Sequence, residues 1–230
     1  MTTRTLLLTL AGPQQAWGSR SRFATRGTER APTRSGVIGL LAAALGMART
    51  EPLHVFDDLG FGVRIDQPGT IERDFQTART LDGSASMPLS ERYYLADAVF
   101  LVGIESDDDA LLTELLEAVR RPRYPLFLGR RAFPPAGPIR ARIVDDGLRT
   151  ALAREPWQAS SSRQMATTTV PALEILVDAR QGEHVDHTLA DVPRSFDPRR
   201  RRHALRDVTR VRTDPPPEHD PMLLVSPEEV

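Results

Sequence analysis

An arginine-rich loop and the helix predicted to follow it carry the residues best suited to chemistry. Residues 12–34 are polar and basic, whereas residues 35–46 are small and apolar. Thr33 or Ser35 is predicted to cap the helix by accepting a first-turn N–H group. The other first-turn N–H groups and the positive end of the helix dipole would then attract an anion, with phosphate the obvious choice. The residues predicted to take part are Trp17, Ser19, Arg20, Arg22, Arg26, Thr33, Arg34, Ser35 and Gly36.

Two further basic segments extend this pattern. The first runs from Arg120 to Tyr124 and continues at Gly129-Arg130-Arg131, and the second is the run Arg199–Arg202. A charge run alone is most often a solvated face. Interleaved aromatics favour nucleic acid, because aromatic rings stack on bases and the arginine fork fits phosphate. Those aromatics are Trp17, Phe23, Tyr93 and Tyr124, of which Trp17 fits a plain core position equally well.

Other chemistries find little support in the sequence. His184-x-x-His187 lacks a nearby set of cysteine or acidic ligands, so a surface strand or loop is the better interpretation. Gly36-x-x-Gly39 lacks the Walker Gly-Lys-Ser/Thr ending and indicates close helix packing. The serines of the basic loop have no histidine near them in sequence, which gives no support to a Ser-His-Asp triad. We therefore predict no metal, no cofactor and no catalytic residues.

The amino-acid composition excludes several classes of protein. The 230 residues are 40% hydrophobic with a net charge of −1, which supports a real core and argues against a uniformly basic nucleic-acid binder. The charge is nevertheless segregated, because residues 1–49 hold seven arginines and a single acidic residue, Glu29. All thirty cationic side chains are arginine and there is no cysteine, which excludes disulfides, cysteine-ligated metals and lysine chemistry. The N-terminal apolar run is too short for a signal peptide, and no stretch is long enough to cross a membrane. We expect a cytoplasmic protein.

The elements that would position these residues follow a strand–helix–strand, strand–helix–strand order. Periodicity and breakers predict an α+β protein: strands at 3–10, 61–65 and 94–104, helices at 35–46 and 107–121, a short helix at 52–59, and a last strand near 126–128 or 139–144. This is the ferredoxin-like order shared by RNA recognition motifs. Residues 67–91 lack hydrophobic periodicity and are predicted to form a protruding hairpin. Residues 1–145 are predicted to form this palm, and residues 146–213 a smaller β-rich extension packed on it, with a helix at 146–154 and strands at 172–177 and 204–211. Residues 214–230 are predicted to form a flexible tail.

Three separated motifs carry a specific resemblance. They are Leu6-x-Leu8-x-Leu10-Ala11-Gly12-Pro13-x-Gln15-Ala16-Trp17-Gly18, then Pro32-Thr33-Arg34-Ser35-Gly36-x-x-Gly39-Leu40-Leu41, then Pro122-Arg123-Tyr124-x-x-x-Leu128-Gly129-Arg130-Arg131. In this order and spacing, the sequence resembles the CasD family of type I-E CRISPR Cascade subunits, within the RAMP superfamily. The resemblance is clear from residue 5 to residue 135 and diffuse after residue 140.

The resemblance implies a concrete function. Members of that family have a ferredoxin-like palm with a β-hairpin thumb and bind the 5′ handle of the guide RNA. They also cap the backbone of CasC subunits and contact CasA near the place where target DNA enters. The 67–91 excursion would be the thumb, and the handle would lie on the basic loops beside it. By this resemblance the predicted RNA-binding set also includes Arg92, Tyr93, Arg130 and Arg131.

Two other functions stay open from the sequence. A related RAMP protein cuts precursor RNA in other CRISPR subtypes, and acid–base cleavage of RNA would need His, Lys or Tyr near the scissile bond. The basic loops contain neither His nor Lys, which leaves Tyr93, Tyr94 and Tyr124 as candidates for an endoribonuclease. A general RNA-binding module outside any complex is the second alternative, and co-purification with other Cascade subunits would separate it from the first interpretation.

Overall fold

The computed structural model describes residues 3–18 and 25–213, which form an α+β protein with two sheets that are antiparallel except where β3 joins the second. The strands are β1 (Arg4–Ala11), β2 (Gln14–Gln15), β3 (Thr25–Arg26), β4 (Gly60–Gln67), β5 (Thr70–Gln76), β6 (Ser90–Ala96), β7 (Val99–Ser106), β8 (Arg140–Val144), β9 (Glu174–Asp178), β10 (His187–Ser195) and β11 (Arg202–Arg212). The helices are α1 (Arg34–Leu45), α2 (Asp109–Arg120), α3 (Leu148–Arg154) and α4 (Ser161–Met165), with a 3₁₀ turn at His54–Phe56.

The main sheet has seven strands in the order β10-β11-β9-β4-β7-β1-β8. β1 pairs antiparallel with both β7 and β8, from Arg4↔Ser106 to Ala11↔Val99 on the β7 side. Its side chains are buried on both faces of the sheet, which explains why β1 is a continuous apolar run rather than an alternating one. The strands predicted at residues 3–10 and 61–65 are confirmed.

Helices cover both faces of this sheet. α1 and α2 enclose the larger core with Leu6, Leu8 and Leu10 of β1, whereas α3 packs on the opposite face against Leu7. α1 is capped at its C-terminus by Gly46 in the left-handed conformation with φ 82°, and α2 is capped at its N-terminus by Asp108, whose carboxylate accepts the Leu111 N–H. Both helices match their predicted positions to within two residues.

The predicted protrusion is a hairpin that lies outside the main sheet. β5 and β6 pair from Thr70↔Ala96 to Gln76↔Ser90, and β2 and β3 add to β6 to complete a second, four-stranded sheet. The prediction of one strand over 94–104 is wrong, because the chain leaves β6 at Asp97 and enters the main sheet as β7. Asp97 has φ 55° and donates its N–H to the Pro13 carbonyl, which fixes this turn.

The C-terminal part extends the main sheet instead of forming a sheet of its own. β9 pairs with β4, and β11 pairs with both β9 and β10. The alternatives left open after α2 resolve to β8 at Arg140–Val144, since residues 126–128 are not a strand. The sequence did not predict β10, which carries Asp191 and Pro193 and has two irregularities in register. The predicted tail, 214–230, lies outside the described residues. None of the described helices is both long enough and apolar enough to cross a membrane.

Candidate nucleic-acid interface

The N-terminus of α1, predicted to bind phosphate, is occupied by groups of the protein itself. Thr33 is the cap, and its Oγ1 accepts the Gly36 N–H at 3.2 Å. The Arg34 N–H donates to Oδ2 of Asp191 at 2.8 Å, and Asp191 is completely buried on β10. The carboxylate of Asp191 therefore takes the position expected for an external anion, as the helix dipole favours. The prediction of a phosphate site facing the arginine loop is corrected on this point.

Arg34, predicted to contribute to this phosphate site, is a buried residue instead. Only 8% of the surface of Arg34 is exposed to solvent. The guanidinium pairs with Asp178 at 3.3 Å and donates to the carbonyl oxygens of Phe56 and Asp57, each at 3.3 Å. Burial lowers the pKa of the Arg34 guanidinium, and the attraction of Asp178 opposes that change. The side chain is thus a buried link between α1 and strand β9.

A second arginine closes the same network. Arg206 on β11 binds both oxygens of Asp191, at 2.9 and 2.7 Å, and also Asp178, at 3.0 Å. Its guanidinium carbon lies 5.0 Å from the centre of the Phe61 ring. Two arginines and two aspartates therefore neutralise each other where α1 meets the C-terminal strands. The sequence did not indicate this network, since its members lie far apart along the chain.

Trp17 is a core residue, the alternative that the sequence left open. It is 1% exposed, and its indole N–H donates to Oε1 of Gln15 at 3.1 Å. Its ring lies against Gly36, where an added Cβ would approach Cε3 of Trp17 to 2.7 Å. Gly36 is therefore required by close packing of α1 on the indole. In this arrangement the Trp17 ring has no free face on which a base could stack.

Three of the predicted RNA-binding arginines do come together, beside strand β6 of the hairpin. β3 pairs parallel with β6, which sets Arg26 beside Arg92. Nη2 of Arg130 donates to the carbonyl oxygens of Tyr93, at 3.0 Å, and Arg26, at 3.3 Å. We call Arg26, Arg92 and Arg130 the arginine cluster. Three segments distant in sequence thus place their guanidinium groups on one surface.

The electrostatics of the arginine cluster favour an anion. Burial, followed by repulsion from Arg92 and Arg26, lowers the pKa of Arg130, and Asp74 only partly offsets this. Among residues 3–18 and 25–213, no carboxylate lies within ion-pair distance of the three guanidinium groups. Positive charge is therefore concentrated here with Asp74 nearby but with no carboxylate of the described residues within ion-pair distance, unlike in the network around Arg34. A phosphate would relieve the repulsion.

The loop that carries Arg130 is held firmly beside β2. Gly129 has φ 86°, and a Cβ at this position would lie 1.7 Å from the Ala16 carbonyl oxygen, so only glycine fits. The Ala16 N–H donates to the Leu128 carbonyl at 3.1 Å. Arg130 also lies over the Phe133 ring, 5.7 Å from its centre, while Arg131 is exposed. This loop presents two arginines from a fixed backbone.

The other predicted residues have various positions. Ser19, Arg20 and Arg22 lie outside the described residues. Ser35 is half-buried, with Oγ 3.5 Å from Oγ1 of Thr33. Tyr93 is half-buried on β6, where its hydroxyl lies 3.5 Å from Glu91. In the described part of the chain, no group of three or more His, Cys, Asp or Glu residues could hold a metal ion.

Comparison with known proteins identifies the class to which this fold and surface belong. The chain matches the family described as CRISPR-associated protein (Cas_Cas5) over residues 5–209, and it belongs to that family. It is more particularly a homologue of the CRISPR system Cascade subunit CasD of Escherichia coli (strain K12). The two sequences are 32% identical over 207 residues, which cover 82% of this chain and 88% of CasD. The resemblance predicted from the three sequence motifs is confirmed.

Solved structures agree with this assignment. A chain from a CRISPR RNA-guided surveillance complex has a TM-score of 0.75 at 33% identity, and the match covers 93% of this chain and 91% of that one. The crystal structure of a Cas protein has a TM-score of 0.71 at 36% identity, covering 94% and 97% of the two chains. The antiparallel α+β architecture is thus shared along nearly the whole length.

Proposed function

We propose that this chain is a non-catalytic subunit of a CRISPR Cascade surveillance complex that binds the 5′ handle of the guide RNA. The observation that carries the proposal is the arginine cluster, in which Arg26, Arg92 and Arg130 meet without a described carboxylate within ion-pair distance. Family membership supports it, because the relatives are a Cascade subunit and a chain of an RNA-guided surveillance complex.

The handle phosphates would bind across the arginine cluster and the adjacent Arg131. Nη2 of Arg130 is used by two backbone carbonyls, which orient the planar guanidinium and leave its other donors for phosphate oxygens. Because three segments contribute, the surface suits a bent single strand whose phosphates follow a curved path. Arg20 and Arg22, which lie outside the described residues and shortly precede Arg26 in the sequence, would also take part in RNA binding.

The architecture suits the palm-and-thumb description of such subunits. We assign β8-β1-β7-β4, with α1 and α2 on one face, to a ferredoxin-like palm, because this is the order and pairing expected for that fold. The β5–β6 hairpin would be the thumb. Its exposed apolar side chains would contact a neighbouring protein, because an isolated surface hairpin gains nothing from displaying them to water. These side chains are Ile71, Phe75, Leu81, Met87 and Leu89.

The partners follow from that assignment. The thumb would cap the CasC backbone, and the palm would contact CasA near the entry of target DNA. The chain would therefore interact with target DNA indirectly, through the complex. Residues 1–145 would form the palm with its thumb and residues 146–213 the extension that continues the sheet. The alternative, an endoribonuclease, gains no support from Tyr94. A hydrogen bond from its hydroxyl to Glu72 raises the pKa of Tyr94, which makes it a poor general base at neutral pH.

Substitution in the arginine cluster tests the RNA-binding proposal. Arg92→Ala removes one guanidinium whose only hydrogen bond within the described residues is to Ser90, so the fold should persist. We expect the affinity for a labelled 5′-handle RNA to fall by about 1–3 kcal/mol, the usual scale for a charge-assisted hydrogen bond. The slope of log affinity against log salt should become shallower by about one or less.

The matched control is Arg180→Ala, which removes an exposed arginine from the turn between β9 and β10. Fluorescence anisotropy over a salt series measures all three proteins. If Arg92→Ala and Arg180→Ala have the same affinity and slope, the arginine cluster does not bind the handle. Co-purification of the tagged chain with other Cascade subunits tests assembly separately.

A further inference from the structure

The turn between β10 and β11 carries a basic surface that the handle-binding proposal does not use. Arg199–Arg202 are four consecutive exposed arginines, which we call the arginine turn. None of them forms an ion pair with a carboxylate of residues 3–18 or 25–213. Asp197, the acidic residue of the turn, accepts the Arg199 N–H with its side chain and the Arg200 N–H with its carbonyl, each at 2.9 Å. It organises the backbone and leaves the guanidinium groups to solvent.

The hairpin that carries the arginine turn packs on α1. Phe196 lies at the helix surface beside Gly39, where an added Cβ would make an ordinary contact, 3.7 Å from Cζ of Phe196. On the same hairpin, Arg194 pairs with Asp57 at 3.2 Å. Deeper in the hairpin, Asp191 joins α1 through the Arg34 N–H. The backbone of the turn is therefore anchored to α1 through Phe196 and Asp191, which lowers the backbone entropy lost when the arginines bind a ligand.

We propose that the arginine turn binds the phosphate backbone of a duplex nucleic acid. Guanidinium groups fit phosphate oxygens, and four adjacent cations on a neutral protein form a local polyanion site. Single-stranded sites also need aromatic side chains on which bases stack. The aromatic residue of this turn, Phe196, is half-buried against α1 instead. The turn thus has the means to neutralise a backbone but not to hold unpaired bases.

This site is separate from the arginine cluster. The cluster is built from β3, β6 and the loop after Gly129, whereas the turn belongs to the C-terminal hairpin. The two proposals can therefore fail independently: handle RNA tests one and duplex tests the other.

The experiment compares two variants of the full chain that lose the same charge. The test variant is R199Q/R200Q/R201Q/R202Q. The control, R49Q/R140Q/R163Q/R180Q, neutralises four exposed arginines scattered over the surface. Fluorescence anisotropy is measured with a short labelled DNA duplex, an RNA duplex of the same sequence, and 5′-handle RNA. Thermal unfolding should show that the wild type and both variants are folded, because the substituted side chains are exposed.

We expect the test variant to lose about tenfold or more in affinity for at least one duplex, with a salt slope shallower by about 2–4 than that of the control. The preferred duplex identifies whether DNA or RNA is bound. The affinity for handle RNA should stay at the control value. Duplex binding equal to that of the control would overturn the proposal. If co-purification of other Cascade subunits were weaker in that case, the arginine turn would be a contact to a protein rather than to a nucleic acid.

Discussion

Arg34→Ala should destabilise the protein without weakening RNA binding by the folded state. The substitution removes an ion pair to Asp178 and hydrogen bonds to two carbonyl oxygens, all from a side chain that is 9% exposed. Breaking a buried ion pair costs about 3–5 kcal/mol. Asp178 is partly exposed and keeps Arg206, at 3.0 Å, and the Phe61 N–H, at 3.2 Å, so its charge stays compensated. We therefore expect a loss of about 2–4 kcal/mol in the free energy of unfolding.

Urea unfolding followed by tryptophan fluorescence measures this loss, and anisotropy with handle RNA, at a temperature where both proteins are folded, measures binding. Arg194→Ala is the matched control, because its pair with Asp57 is exposed on both sides, at 55% and 44%. An exposed pair contributes less than about 1 kcal/mol. The reasoning is refuted if Arg34→Ala unfolds like the wild type but binds handle RNA more weakly, since the guanidinium would then serve RNA rather than the core.

Three other outcomes follow from the structure. Arg64→Met should lower the free energy of unfolding in urea by about 3–5 kcal/mol, because all five N–H donors of the guanidinium are used, two of them by the buried Asp66. Adding Asp66→Leu should restore part of that loss, because the double variant leaves no unpaired buried charge. If the second substitution restores no stability, the pairing is contradicted. Replacing the hairpin tip, 77–89, by a Gly-Ser linker should leave the unfolding midpoint unchanged, because the tip is exposed throughout, yet weaken co-purification with CasC; full assembly would show that the tip is dispensable. The purified chain should leave labelled repeat RNA intact with or without magnesium, and cleavage abolished by Tyr124→Phe would establish the endoribonuclease alternative.

Local pattern was enough to predict much of the fold. β1, α1 and α2 were predicted within two residues, because each combines an apolar run or stripe with clear end signals such as Gly46 and Asp108. The break at Asp97 was missed, because the apolar run from Tyr94 to Ile104 hides a turn that is fixed by a distant carbonyl, that of Pro13. β10 was missed for a related reason: its polar Asp191 is buried because Arg206 pairs with its charge and the Arg34 backbone N–H donates to it.

The residues of the candidate site were likewise predicted only in part from the sequence. Sequence alone determined that the protein is rich in arginine at a few segments, that lysine and cysteine chemistry are excluded, and that three motifs have the spacing of the CasD family. It did not separate Arg34 from Arg92, since both look like cations beside a turn or strand end. That separation depends on partners: the acids around Arg34 lie 144 and 157 residues away in sequence, whereas Arg92 meets two other arginines.

Only the tertiary structure could decide which cations serve the core and which remain for a ligand. The free energy of a charge depends on its burial and on the opposite charges within a few ångströms, and both are set by the packing of distant segments. Hydrophobic periodicity reports the local chain and therefore predicts helices and strands well. It carries no information on whether Asp191 or a phosphate lies at the N-terminus of α1, because that depends on the packing of β10 against the helix.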